Sequence, residues 1–291
     1  SSSLLWLSLN AVTADLAADQ ERAATFGKIT QSGNRGAIMG TFVGFFLLNT
    51  DLNIPGLENR LASWMVLFLL YGVINLAALL LAARSLPETR PLPVAAMDHS
   101  SIRWSQTWIL LLLVTFVTGA SAALISPILI IFLQDKLNVG VETLSWAFLP
   151  SGLVWALLPA RLGKLADRLG RKPMMLVGLV AAGISSFIIP AVGSALGLAV
   201  LWALQSACYA AGDPAEQALV ADLTGRNQRG RAYGLYVMCA DLGATIGPLG
   251  GAWLYQEFNA STPFNVNGII LLVCALVLLV FLKPVQANPV E

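Results

Sequence analysis

Long apolar runs separated by short polar stretches follow one another along nearly the whole chain. A helix needs about 20 predominantly apolar residues to cross the hydrocarbon core of a bilayer. Eight runs have this length, and residues 1 to about 16 are typical of the end of a ninth. Spanning strands would alternate over about ten residues, so these Leu-, Ala- and Gly-rich runs predict helices and an all-α bundle. The eight spans are expected near 25–48, 62–84, 107–134, 142–162, 173–195, 197–221, 232–255 and 264–283.

Composition strengthens the prediction of a membrane protein. Of the 291 residues, 57% are hydrophobic and 11% are charged, and the mean hydropathy is +0.73. A soluble domain carries about 25% charged residues, so this chain has too few charges to cover a water-facing surface. A net charge of +1 provides no basic field for nucleic acid. We therefore expect the lipid bilayer, and no nucleic acid, as a partner.

Residues suited to metal or catalytic chemistry are scarce. The three cysteines, Cys208, Cys239 and Cys274, lie in apolar stretches without paired spacing, and His99 is the only histidine. The sequence contains no nucleotide-binding loop ending in Lys-Ser or Lys-Thr and no Gly-x-Ser-x-Gly motif. We expect no metal, no cofactor and no enzymatic activity, and neither an ATP-driven pump nor a membrane hydrolase has support.

The distribution of Lys and Arg predicts the orientation in the membrane, because short loops on the cytoplasmic side carry most of these residues. All but three of the 17 basic residues fall on alternate turns; Arg60 and Lys136 lie on the other side, and Arg35 lies within a span. The prediction is a multi-pass protein of the inner or plasma membrane with a cytoplasmic C-terminus.

An internal repeat appears when the sequence is shifted by 207 positions, which places residues 11–44 on residues 218–251. Each copy contains the end of a span, an Asp-Leu pair, a basic turn and a span with Gly at every fourth residue. Two homologous bundles are implied. Identical pairs include Ala11/Ala218, Asp15/Asp222, Arg22/Arg229, Gly27/Gly234, Gly36/Gly243, Gly40/Gly247 and Gly44/Gly251.

The repeat also suggests how the chain is organised. Residues 1–84 would be the remainder of a first bundle, 85–105 a Pro-containing cytoplasmic linker, 106–283 a second bundle and 284–291 a tail. The counterpart of the second bundle's first span would precede Ser1, and the sequence does not open with Met. We therefore expect roughly a hundred residues, or about three spans, to be missing from the front.

Residues 163–173 read GKLADRLGRKP and precede an apolar run. This segment resembles the signature cytoplasmic loop of the major facilitator superfamily, Gly-x-Leu-Ala-Asp-Arg-x-Gly-Arg-Lys. The resemblance implies a two-bundle fold, with this chain covering helices four (partial) to twelve, and a monomer. It also implies a gating loop between the bundles, in which the glycines permit tight turns and Asp167 sits against a helix N-terminus near Gly27. The loop residues are Gly163, Asp167, Arg168, Gly170, Arg171 and Lys172.

A glycine-rich element lies in the predicted eleventh helix, at Gly243, Gly247, Pro248 and Gly251. It resembles the Gly-Pro-Gly-Gly element that antiporters of the superfamily carry in the fifth helix. In the fifth helix of this chain, Thr41 and Phe45 replace the proline and the last glycine. Close helix packing through small residues also explains both copies.

Polar side chains recur at helical spacing along the span 197–221, so this face does not contact lipid. A carboxylate at the centre of a membrane helix costs about 2.5–3.5 kcal/mol, so Asp213 and Glu216 should face a cavity, bind a proton or be paired, unless they reach cytoplasmic water near Asp222. Pro214 between them loosens the helix. The polar face contains Trp202, Gln205, Tyr209, Asp213, Glu216 and Gln217.

Other polar positions complete the candidate site. Asp241 and Arg35 are expected to be buried charges, and we hypothesise that Arg35 pairs with Asp213 or Asp241. Thr115, Thr118 and Ser121 form a stripe on the seventh helix that either touches a solute in the cavity or makes hydrogen bonds within the helix. The tryptophans Trp64, Trp104 and Trp108 are expected to anchor the membrane interfaces.

Three functions remain open at this stage. The first is a secondary active transporter that exports small solutes by alternating access in exchange for protons, with Asp213 or Glu216 carrying the proton. The second is an uptake symporter or uniporter, in which the same acids bind the solute. The third is a membrane sensor, scaffold or inactive fragment that transports nothing.

Overall fold

The computed structural model describes residues 2–49, 59–85, 104–224 and 228–282, and these residues form helices without any strand. The all-α prediction is confirmed. Most of the expected linker, with His99, and the tail 284–291 lie outside the described residues. The helices are α1 (Ser2–Leu16), α2 (Arg22–Asn49), α3 (Asn59–Ser85), α4 (Gln106–Leu137), α5 (Val141–Leu157), α6 (Pro159–Leu169), α7 (Arg171–Ile188), α8 (Ala195–Asp222), α9 (Arg229–Glu257) and α10 (Thr262–Phe281).

Fewer helices qualify as membrane spans than the eight that the sequence predicted. Among the described residues, six helices are long and apolar enough to cross a membrane, or seven if the bent pair α5 and α6 counts as one span. Helix α2 is continuous over its 28 residues but is not among the six. It carries Gln31, Asn34 and Arg35 near its middle, which lower its apolar character.

The expected span 142–162 breaks at Leu158 and Pro159, where α5 and α6 meet at an angle of 57°. Proline has no N–H to continue the hydrogen bonds of α5, but it fits the first turn of a new helix. The segment predicted as a loop from Gly163 onward is helical as far as Leu169. The turn comes at Gly170, whose φ of 100° is a conformation that L side chains rarely adopt.

The chain divides into two compact units: Ser1–Gln31 with Pro93–Glu291, and Ser32–Leu92. In the first unit, α1 and the start of α2 pack with the second half of the sequence. The second unit contains the rest of α2 and α3, and Gly44 contacts Leu67 within it. The bundle boundary at 85–105 therefore stays a prediction.

Glycines bring α9 against α4 at main-chain distance. A Cβ atom at Gly243, Gly247 or Gly251 would overlap a carbonyl oxygen of α4, at Phe116, Ala120 and Leu124 respectively. Pro248 is partly buried, and α9 continues through it. The small residues thus permit a helix contact that any side chain would prevent.

Two apolar clusters fill the first unit. One surrounds Trp108, Phe26 and Tyr233, and the other surrounds Phe132 and Phe264. Trp108 is completely buried, so its expected role as an interfacial anchor is wrong, because α4 turns this residue toward the core. Trp64 and Trp104 are exposed, as interfacial anchors would be.

Candidate functional site

Two carboxylates three residues apart on α8 form the centre of the candidate site. Asp213 and Glu216 are partly buried. The Thr115 hydroxyl, on α4, donates to Glu216 Oε1 at 3.1 Å. The phenol of Tyr236, on α9, lies beside the same carboxylate. Glu216 therefore lies where α4, α8 and α9 meet.

Asp213 has different partners. Its Oδ2 accepts hydrogen bonds from Gln217 Nε2 at 3.0 Å and from Thr30 Oγ1 at 3.4 Å. Gln217 follows one turn later on α8, and Thr30 lies on α2. The two acids are thus neighbours along one helix but accept hydrogen bonds from different helices, Glu216 from α4 and Asp213 from α2. Thr30 was not predicted, because no periodic pattern on α2 distinguishes it.

Several predicted cavity residues lie elsewhere. Trp202 is 6% exposed and stacks on Phe148 with ring centroids 3.8 Å apart, which corrects the expectation that it lines a cavity. Ser121 is 1% exposed and donates to Asn267 Oδ1 at 2.5 Å, so it belongs to the core. Thr118 bonds within its own helix, donating to the Thr115 carbonyl oxygen at 3.2 Å.

The remaining predicted site residues differ in how far they are buried. Gln205 and Tyr209 are partly buried on α8, and Tyr209 is near enough to Glu216 to interact electrostatically. Asp241 is exposed on α9, which corrects the expectation of a buried charge. It lies two residues from Gly243, and this spacing turns its side chain away from the face that packs on α4. Arg35 is also exposed, and its pairing with an acid of α8 or α9 stays a prediction.

Ion pairs gather at one end of the first unit, which we call the charged end: residues 15–24, 167–172, 222–224 and 228–229. Arg22 pairs with Asp222, and Arg229 Nη1 lies 2.8 Å from Asp15 Oδ1. These four residues are equivalent in pairs under the 207-residue shift. Each arginine binds the aspartate of the other copy. The alignment of Asp15 with Asp222 and of Arg22 with Arg229 was the signal that could have identified them as site residues.

The signature segment contacts the same end. Asp167 accepts hydrogen bonds from the backbone N–H groups of Ala23 and Ala24, at 3.0 and 2.9 Å. The contact predicted between this segment and the start of the helix near Gly27 is therefore present. A Cβ atom at Gly163 would overlap the Ala23 carbonyl oxygen, so its glycine serves close approach and not a turn.

The basic residues of the segment separate by partner. Arg171 pairs with Asp222 and donates to the Asp19 carbonyl oxygen at 2.9 Å. Lys172 donates to the carbonyl oxygens of Leu279 and Leu282 at the end of α10, whereas Arg168 is exposed. A cavity of about 920 Å³ opens at the charged end, between these residues and the start of α2. Within the described ranges, no three potential His, Cys, Asp or Glu ligands lie together.

The helical fold, the partly buried acids and the signature segment are typical of membrane transporters, and comparison with known proteins gives the family. The profile of the Major Facilitator Superfamily matches residues 111–291. The chain belongs to this superfamily. It is a multi-pass membrane protein of a superfamily of transporters.

Two curated relatives carry the names of multidrug resistance proteins. The chain is 30% identical over 192 residues to the multidrug resistance protein MdtG of Dickeya zeae (64% of this chain, 46% of the relative). It is 35% identical over 123 residues to MdtH of Salmonella arizonae (39% and 28%). The chain thus spans about half the length of the curated relatives that it matches, or less.

The structural comparisons show a shared fold. The human organic anion transporter MFSD10 matches with a TM-score of 0.71 at 19% identity, covering 92% of this chain and 66% of that one. The proton:xylose symporter XylE matches with a TM-score of 0.57 at 14% identity, covering 94% and 67%.

Proposed function

We propose that the protein exports small solutes in exchange for protons by alternating access, with Asp213 and Glu216 carrying the proton. The observation that supports this most directly is the pair of acids on α8, each held by a hydroxyl group from a different helix. A membrane helix retains carboxylates at such positions mainly for ion or proton binding. The multidrug resistance names of the curated relatives favour export over uptake.

The contacts of the two acids suit reversible proton binding. An ionised carboxylate only accepts hydrogen bonds, whereas a protonated one also donates. The Thr115 hydroxyl can rotate to donate to the ionised form of Glu216 or accept from the protonated form. Binding of a proton therefore needs no rearrangement of the helices at this atom.

We assign the charged end to the cytoplasm, on the basis of its basic turns, and propose that it closes that side. The Arg22–Asp222 and Arg229–Asp15 pairs and the Asp167 contact would hold α1 and α2 against α6–α9 in the closed state. The solute would bind deeper in the protein, beside Gln205, Tyr209, Thr115 and Gln217, all of them on α4 and α8. The protein would act as a monomer, with its C-terminus in the cytoplasm.

The test uses the full-length protein in proteoliposomes with a pH-sensitive dye inside, challenged with a panel of amphiphilic solutes. Solute-dependent proton flux should disappear in Asp213→Asn and in Glu216→Gln. Asp135→Asn, the same substitution at an exposed position of α4, should behave as the wild type. The direction of flux separates export from uptake. Solute flux without proton movement would contradict the proposal and indicate a facilitator or another coupling ion.

The pairing of Arg35 with Asp213 or Asp241 is a separate part of the proposal. Arg35 lies in the polar middle of α2, and the planar guanidinium group of an arginine can bind a carboxylate through two parallel hydrogen bonds. Arg35→Ala should impair transport, and exchanging the two charges of the correct pair should restore part of it. Defects that simply add in the exchanged double variant would rule the pairing out.

A further inference from the structure

Tyr233 lies between the acid pair of α8 and the charged end. It is on α9, one turn after Arg229, and its side chain is completely buried. Its hydroxyl donates to the main-chain carbonyl oxygen of Gln217 at 2.7 Å. Its phenol is also near enough to Arg22, Arg229 and Asp15 to interact with them electrostatically. A single side chain therefore touches both regions.

Gln217 is the residue that connects Tyr233 to the acids. The side-chain amide of Gln217 donates to Asp213 at 3.0 Å, while its main-chain carbonyl accepts from Tyr233. Asp213 and Tyr233 thus hold the same residue, one through its side chain and the other through its backbone. A change of charge on Asp213 alters the first of these bonds, and the second transmits any movement of the backbone to α9.

The part of α8 involved begins at a proline. Pro214, directly after Asp213, has no N–H group, so one main-chain hydrogen bond of the helix is absent just before residues 215–222. This last segment ends in Asp222, which binds Arg22 and Arg171. The hydrogen bond from Tyr233 joins α9 to this segment at Gln217, between Pro214 and Asp222.

The internal repeat indicates what the hydroxyl adds. Under the 207-residue shift, Tyr233 corresponds to Phe26, and the two rings contact each other with centroids 6.0 Å apart. The ring contact therefore uses an aromatic residue from each copy, and Phe26 shows that it needs no hydroxyl. The hydroxyl occurs only in the copy whose helix follows the acids of α8.

From these contacts we infer that Tyr233 is a positioning residue that couples the charge state of Asp213 to the ion pairs at the charged end, through its hydrogen bond to the backbone of Gln217. The inference rests on the proposed function. Removing the hydroxyl should leave packing intact, because Phe is the residue that the repeat already uses at this position. The Gln217 carbonyl keeps its ordinary acceptor role within the helix.

The experiment is a double-mutant cycle on the full-length protein in nanodiscs, with Asp213→Asn, Tyr233→Phe and the combination. Hydrogen–deuterium exchange is followed in peptides covering residues 15–30, which contain the charged end of α1 and α2. Asp213→Asn alone should change exchange there by roughly fivefold or more, the lower end of typical coupling between sites. In the Tyr233→Phe background, the same substitution should change it little.

Proteoliposome flux measurements on the same variants distinguish the possible failures. Tyr233→Phe should unfold at nearly the wild-type temperature and lower the number of protons moved per solute. Tyr255→Phe, the same change at the other end of α9, should alter neither exchange nor flux ratio. Equal effects of Asp213→Asn with and without the Tyr233 hydroxyl overturn the inference. Loss of proton flux in Asp213→Asn with unchanged exchange at residues 15–30 also overturns it, and leaves the proposed function standing. Proton flux that persists in Asp213→Asn and Glu216→Gln overturns the proposed function, and the inference with it.

Discussion

Arg229 binds Asp15 at 2.8 Å, and the equivalent residues of the other repeat copy, Arg22 and Asp222, form the same pair with the roles of the copies exchanged. Each pair therefore joins the turn of one copy to the turn of the other. Two equivalent contacts of this kind resist separation of α1 and α2 from α8 and α9 more evenly than a single contact would.

Loss of one of these arginines should destabilise the protein. Removing a partner of a buried ion pair costs about 3–5 kcal/mol, but Asp15 keeps 23% of its side-chain area exposed, so we expect about 1–3 kcal/mol for Arg229→Ala. The free energy of unfolding, measured by denaturant titration in mixed micelles, checks this value.

The matched control is Lys164→Ala, which removes an exposed basic residue near the same end and should change the unfolding free energy by about 0.5 kcal/mol or less. Exchanging the two charges, with Asp15→Arg and Arg229→Asp together, should recover part of the loss. A double variant less stable than the sum of its single changes would contradict the assignment of a specific pair.

Gly163 should not tolerate even a methyl group. A Cβ atom there overlaps the main chain of Ala23 and Ala24, so Gly163→Ala must push α6 away from α2. Overpacking of this kind costs about 1–3 kcal/mol. Gly152→Ala is the control, because nothing lies within 4 Å of a Cβ atom at that position of α5. Only Gly163→Ala should lower the temperature of thermal unfolding. Similar unfolding temperatures for the two variants would refute the close contact.

Thr115 and Thr118 separate a hydrogen bond to the acid from one within a helix. Thr115→Val removes the donor to Glu216, whereas Thr118→Val removes a bond to the carbonyl oxygen of Thr115. A hydrogen bond to a charged group contributes about 1.5–3 kcal/mol, so proton-coupled flux should fall about tenfold or more in Thr115→Val. Flux assays in proteoliposomes provide the comparison. Equal flux in both variants would exclude Thr115 from the proton site.

Asn267 should matter for stability and not for transport. Its side chain accepts from Ser121 and donates to Ser186 at 2.6 Å, and all three residues are buried. Asn267→Ala leaves two hydroxyl groups without this partner and should cost about 1–3 kcal/mol. Asn75→Ala, which removes an exposed bond within α3, should cost less. Substrate affinity should be unchanged in the folded fraction of both variants. A large change of affinity in Asn267→Ala would indicate that this cluster takes part in solute binding.

Much of this fold follows from apolar run lengths, which placed α3, α4 and α8–α10 within a few residues of their bounds. The expected span 173–195 matches the start of α7 but continues past its end at Ile188. The contact of Asp167 with a helix N-terminus was also predictable, because a carboxylate and unpaired N–H groups attract each other wherever the chain brings them together. The repeat likewise contained the ion pairs, since its conserved positions carry opposite charges.

The burial of Ser121 and Trp202 could not be predicted in the same way. Periodicity identifies which residues share a face of one helix, but not which neighbour covers that face. The stripe on α4 is divided between a hydrogen bond to Glu216 at Thr115 and the core contact with Asn267 at Ser121. The break at Pro159 was missed because the apolar run continues across it.

The approach of α6 to α2 has a consequence for the ease of opening. Gly27 lies against the main chain of Pro159 and Ala160, and Gly163 against that of Ala23 and Ala24, so almost no side chains stand between the two helices. Separating α2 from α6 at this contact would expose little apolar side-chain surface to water, so the hydrophobic effect would oppose the separation only weakly. The contact would be stabilised mainly by charged and polar interactions, which dissolved salt weakens. A higher ionic strength would then shift the equilibrium from the closed state toward the open state.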